Sequence, residues 1–122
     1  MKNALNWFEI PSINHDRAVR FYSSILAAPL RLEVIEGVPN AILPYDGGDQ
    51  GAMGGAVIFD ARVKPTADGS VPYLNCQGQL DEVLARVLSA GGQIIMPRKD
   101  SVFGSSAWIL DTEGNRIGLH SA

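Results

Sequence analysis

Few side chains in this sequence can do chemistry, and their types and spacing frame what it could do. Glu9 stands inside the alternating run Trp7-Phe8-Glu9-Ile10-Pro11. A carboxylate among large apolar neighbours is costly to bury unless it is hydrogen-bonded or protonated. Such a group serves as a general base, or as an anchor for a cationic or hydroxylated ligand. A structural glutamate satisfied by nearby backbone or by Arg116 would read the same way. There are two histidines. His15 falls at a helix start and reads as an exposed first-turn residue. His120, near the chain end, reads as a rim residue rather than a ligand, because a metal needs about three or four converging donors. Trp7, Met53, Tyr73 and Trp108 could line a stacking pocket for a flat ligand, with Asn75, Arg116 and His120 as its polar groups. Ordinary core packing is the other reading of each large side chain. The single cysteine, Cys76, has no His or Asp near it in sequence and reads as buried packing, not as a nucleophile.

These side chains meet only if the elements carrying them are arranged to allow it. Trp7–Pro11 alternates like a strand ended by proline. Asn14-His15-Asp16 offers helix-capping groups, and Ala18, Phe21, Tyr22, Ile25 and Leu26 form one apolar helical stripe up to Pro29. Strands are expected at Leu30–Glu36, Asn40–Tyr45 and Gly54–Phe59, with the turn Asp46-Gly47-Gly48-Asp49 before the last. The second half repeats the order. Val71–Cys76 is a strand, Leu80, Val83, Leu84, Val87 and Leu88 make the stripe, and Gly91-Gly92 caps the helix. Gln93–Met96, Ser106–Leu110 and Arg116–His120 are strands, the last two joined through Asp111-Thr112-Glu113-Gly114-Asn115. The stretch from Asp60 to Ser70 is the linker.

The sequence therefore predicts an α+β chain: one domain over 1–122 made of two tandem βαβββ modules, roughly 1–60 and 70–122. One such unit covers a single face of its sheet with its helix. Two side by side would give a curved, cup-shaped mixed sheet with helices outside and a small-molecule pocket inside. An unrelated α+β sandwich with a chance likeness between halves is the alternative. By strand parity Phe8, Ile10, Leu74, Cys76, Ile117 and Leu119 lie under the helices. Trp7, Glu9, Tyr73, Asn75, Arg116, Gly118 and His120 face the cup or its rim.

Bulk properties narrow the function classes. With 122 residues, 46% hydrophobic and 19% charged, the chain suits one folded domain. Ten basic and 13 acidic residues, net −3, are scattered, so nucleic acid is not an expected partner. No apolar run is long enough to span a bilayer, so no membrane partner is expected. A lone cysteine and no signal-like start point to the cytoplasm. Gly47-Gly48-Asp49-Gln50-Gly51 has phosphate-loop composition but leads into a strand rather than a helix. No nucleophile-elbow motif occurs.

The same residues carry a family resemblance. Trp7-Phe8-Glu9-Ile10-Pro11 with Asn14-x-x-Arg17-Ala18 and Phe21-Tyr22 resembles the opening of the vicinal-oxygen-chelate superfamily, which holds glyoxalase I, extradiol dioxygenases and bleomycin-binding proteins. Asp111-x-Glu113-Gly114-Asn115-Arg116-Ile117-Gly118-Leu119-His120-Ser121 resembles its closing segment. Gly91-Gly92, Lys64-Pro65, Asp68-Gly69 and Pro72-Tyr73-Leu74-Asn75 are similar to a bacterial subgroup described as related to lactoylglutathione lyase. The resemblance implies a divalent cation in the cup, held by His and Glu from the first and last strands of each unit. Those positions map onto Trp7, Tyr73, Gly118 and either Gly55 or Ala56, none of which is a donor. The implied protein is glyoxalase/bleomycin-resistance-like, binds a small organic molecule with no metal and no cofactor, and forms a homodimer. Two enzymatic alternatives stand beside it: a lyase or isomerase using Glu9 as base, and a metal enzyme with relocated ligands such as Glu9 and His120.

Overall fold

A computed structural model describes residues 3–122. Its elements are β1 (Trp7–Pro11), α1 (His15–Leu26), β2 (Arg31–Ile35), β3 (Val38–Ile42), β4 (Gly54–Ile58), β5 (Tyr73–Asn75), α2 (Leu80–Val87), β6 (Gln93–Ser101), β7 (Gly104–Leu110) and β8 (Arg116–Ser121). The βαβββ order occurs twice. The strands form two four-stranded mixed sheets, β1-β4-β3-β2 and β5-β8-β7-β6, with β1 parallel to β4 and β5 parallel to β8.

Parity decides what each strand buries. Ile10, Leu74, Ile117 and Leu119 enter the core, and Phe8 packs against it. Ala18, Phe21, Tyr22 and Ile25 of α1 meet Leu80, Val83 and Val87 of α2 in one shared cluster, so both halves close over the same apolar volume. The helices also touch, Arg86 Nη1 donating to the Ile25 carbonyl at 2.9 Å. Asn14 caps α1 through its Oδ1, which accepts from Arg17 N at 3.1 Å.

Several boundaries differ from the sequence reading, each for a local reason. β2 stops at Ile35 because Glu36 and Gly37 both adopt positive φ, making the tight turn that pairs Ile35 with Val38. β3 therefore starts earlier, at Val38 rather than Asn40. The first helix ends at Leu26, where Ala27 takes the left-handed conformation, two residues before Pro29. β5 is confined to Tyr73–Asn75, starting directly after Pro72. β6 runs past the expected Met96 to Ser101. Pro97 is accommodated because β6 is an edge strand whose register with β7 shifts between Ile94 and Met96 and again between Met96 and Lys99.

A polar clamp joins the halves. Glu113 Oε1, from the β7–β8 turn, accepts from Ile13 N at 2.8 Å and Asn14 N at 2.7 Å, just ahead of α1. Its Oε2 accepts from Arg17 Nε and Thr112 Oγ1, each at 2.8 Å. Asp111 accepts from the Tyr22 hydroxyl at 2.5 Å and from Glu113 N, Asn115 N and Asn115 Nδ2 at 2.8–2.9 Å. Asn115 Nδ2 also donates to the Pro11 carbonyl at 2.8 Å. Burial pushes the Glu113 carboxyl up, but the converging donors outweigh it and bring it from 4.5 to about 2. Burial, with the Asp111 carboxylate beside it, pushes the Tyr22 hydroxyl well above 10.

Candidate ligand-binding face

The helix-free face of the sheets carries the residues that the sequence marks for chemistry. Its organisation follows from strand register. Trp7 lies beside Gly54 and Tyr73 beside Gly118, the same relation in each half. A side chain at Gly118 would overlap the Tyr73 ring, and one at Gly54 would overlap the Tyr45 ring. Each glycine thus admits an aromatic ring flat against the sheet, where a bulkier residue would push it away. Trp7 meets Tyr45 edge-on, with ring centroids 6.1 Å apart. In the other half Trp108 Nε1 donates to the Tyr73 hydroxyl at 2.6 Å, and the Arg116 guanidinium lies 4.9 Å from the Trp108 ring centroid. That spacing is within cation–π range.

The structure divides the sequence-marked residues among neighbouring hollows. Met53, Tyr73 and Asn75 line a cleft of about 420 Å³ together with Tyr45 and Gly54. Glu9 and Arg116 line a smaller cleft of about 190 Å³ between the end of β1 and the start of β8, with Thr66 and Ser70 of the linker. Trp7 and Glu9 also border a hollow of about 310 Å³ beside Asn40 and Arg62. Trp108 sits between Tyr73 and Arg116.

Three expectations are corrected. Glu9 faces the open side but is exposed, and Trp7 and Tyr73 are 37% and 52% exposed, so they do not wall in a buried carboxylate. Arg116 does not pair with Glu9; it stacks on Trp108, and its buried Nε has no partner among the described residues. His15 is half-buried rather than exposed, 3.3 Å from Ser12 Oγ, and burial pulls its imidazole down against the opposing pull of Asp16 and Glu113. It lies near the clamp, away from the open face.

His120 Nε2 donates to the Phe103 carbonyl at 2.6 Å, which ties it to the β6–β7 hairpin. Cys76 is buried, and burial pushes its thiol up. Sequence reasoning missed Tyr45. The only signal was a strand-end tyrosine upstream of Gly54-Gly55, and no spacing rule links the two.

The register also fixes the fourth ligand position implied by the family resemblance. A side chain at Gly55 would run into the Phe8 ring on the helix-covered side, and Ala56 lies opposite Glu9. Equivalence with Gly118 selects Gly54 instead. Trp7, Gly54, Tyr73 and Gly118 supply no oxygen, nitrogen or thiolate ligand of the kind a divalent ion takes there. Among the described residues no group of three His, Cys, Asp or Glu side chains could hold a metal ion. The donor set does not fit the resident metal of that superfamily.

The element order, the paired mixed sheets and the shared core define the glyoxalase/bleomycin-resistance fold. Solved structures that share it include a glyoxalase/bleomycin resistance protein from Albidiferax ferrireducens T118, with TM-score 0.75, 16% identity, and coverage of 98% of this chain and 99% of that one. A glyoxalase-related enzyme from Fulvimarina pelagi superposes with TM-score 0.68 at 11% identity, covering 98% and 88%. A genomically encoded fosfomycin resistance protein from Listeria monocytogenes gives 0.66 at 13% identity, covering 100% and 93%. No family model and no curated protein sequence matches the chain. No helix among the described residues is long and apolar enough to cross a membrane.

Proposed function

We propose that this chain binds a small organic molecule on its helix-free face without a metal ion. One observation carries the reading. At the four equivalent strand positions, two aromatics stand beside two glycines, and tyrosine rings lie on those glycines. Aromatic walls with a few polar groups suit recognition by stacking and hydrogen bonding. Bleomycin resistance appears in the names of two structural neighbours, one of them called an enzyme, which is compatible with capture of a small molecule on this fold.

Native mass spectrometry of freshly purified protein tests this. A retained organic molecule without metal is the expected result. Elemental analysis giving about one Zn, Ni, Mn or Fe per chain would overturn it, because a real site holds its metal through several protein donors.

The reading includes a pair of chains. Leu32 and Val34 on edge strand β2 are 65% and 73% exposed, and an open edge with apolar side chains is a surface that favours pairing. Light scattering that returns the mass of one chain at micromolar concentration would remove the dimer from the proposal.

A further inference from the structure

The cleft between β1 and β8 brings together two opposite charges that do not use each other. Glu9 and Arg116 both line it, yet no ion pair within 4.0 Å joins them. Three other arginines are held in close ion pairs. Arg17 holds Glu113, Arg62 holds Asp60, and Arg98 holds Asp81 and Asp100, at 2.7–3.0 Å.

Arg116 forms no such pair, yet it is not loose. Its guanidinium rests on Trp108, and that indole is anchored by its bond to Tyr73. Stacking orients the planar fork without consuming its in-plane donors, and such a fork matches a carboxylate with two parallel hydrogen bonds. The Nε is buried and has no partner among the described residues, so it is the terminal nitrogens of the fork, which no hydrogen bond uses, that can meet a ligand. Glu9 is an acceptor in the same cleft and suits an ammonium group. Thr66 and Ser70 border the space with hydroxyls. At about 190 Å³ the cleft is smaller than the roughly 300–1,000 Å³ typical of drug-sized ligand sites, so its occupant is small.

We propose that this cleft recognises a small zwitterion of the α-amino-acid class, with its carboxylate on Arg116 and its ammonium on Glu9. The inference rests on the reading of the helix-free face as a small-molecule site and names the chemistry of one part of it. A ligand with a single charge would satisfy one partner and leave the other exposed to its field. A zwitterion satisfies both at no net charge.

The test titrates the isotopically labelled full chain with each of the twenty protein amino acids at millimolar concentration and follows backbone amides by NMR. At least one amino acid is expected to shift the Glu9 and Arg116 amides saturably. Its N-acetyl form lacks the ammonium and its amide form lacks the carboxylate. Each is expected to bind roughly 10- to 100-fold more weakly, the loss of one charge-assisted hydrogen-bonding group. Glu9→Gln should weaken the parent amino acid and make N-acetylation nearly silent. Arg116→Gln should make amidation nearly silent. Arg116→Lys, which keeps the charge and loses the fork, should fall between, and it guards against a folding defect in the glutamine variant.

Silence from all twenty amino acids would overturn the inference. So would an N-acetyl form that binds as tightly as its parent, or binding that neither Glu9→Gln nor Arg116→Gln alters. A neutral molecule retained in native mass spectrometry, alongside amino-acid silence, would overturn the zwitterion while leaving the broader binding reading intact.

Discussion

A glutamate and an arginine stand near each other at the clamp and again on the open face, and the two neighbourhoods are used in opposite ways. At the clamp, Glu113 is buried, its two oxygens accept five hydrogen bonds, and Arg17 supplies two of them. On the open face, Glu9 and Arg116 share a cleft and leave each other alone. Spent hydrogen-bonding capacity marks structure, because removing a partner strands a buried group. Unspent capacity on a concave face marks a place where a ligand can complete the set. The contrast yields predictions of decreasing size.

The largest effect belongs to Glu113→Ala. It removes the acceptor shared by two backbone N–H groups ahead of α1 and by the half-exposed Arg17, so unfolding free energy should drop by about 3 kcal/mol. Thermal melting should show a fall of at least about 10 °C. A loss under about 1 kcal/mol would mean that the clamp is ornamental.

The same carboxyl predicts the acid limb of stability. Its folded value of about 2 lies below its ordinary 4.5, so the folded state gains only where the carboxylate is ionised. That contribution is complete above about pH 4.5 and is lost as pH falls toward 2, amounting to about 3 kcal/mol. Urea titrations between pH 6 and 2.5 should show this slope in the native chain and a flatter one in Glu113→Ala.

A smaller effect is expected on the open face. Gly118→Ala places a methyl group where the Tyr73 ring lies, so the ring must move and its bond from Trp108 must break or bend. About 1–2 kcal/mol should be lost, with a change in near-ultraviolet circular dichroism. An unchanged spectrum would mean that the ring is not held there.

The smallest belongs to Glu9→Gln. An exposed, unpaired glutamate contributes little to folding, so stability should stay within about 0.5 kcal/mol while ligand affinity falls. If stability fell as it does for Glu113→Ala, the contrast between the two neighbourhoods would collapse.

The sequence made some of this legible, and distance along the chain explains the rest. Period-2 and period-3.6 patterns gave the two βαβββ units because Ile10, Leu74, Ile117 and Leu119 bury on one side whatever the partner. Trp7, Glu9, Tyr73 and Asn75 followed by parity onto the other side. The clamp was hidden: Asp111-x-Glu113-Gly114-Asn115 has the chemistry of a turn, and its bonds to Ile13, Asn14 and Tyr22 span about a hundred residues. Register hid the rest. Only the pairing of Trp7 with Gly54 shows that Gly54, not Gly55, is the counterpart of Gly118, and only that placement brings Tyr45 into the site. β6 continues through Pro97 because it is an edge strand with a shifting register, a property of the pairing that no local pattern displays.

The placement of the tryptophans has an optical consequence. The chain has two, Trp7 in one half and Trp108 in the other, each beside a tyrosine. Ultraviolet excitation therefore interrogates both halves at once, and each indole emits from a different chemical setting: one edge-on to a phenol, the other under a guanidinium. With Trp7 or Trp108 changed to phenylalanine, the surviving indole becomes a lamp fixed to one half. A ligand that dims only the Trp108 lamp is touching the Arg116 side, and one that dims both is bridging the two sheets.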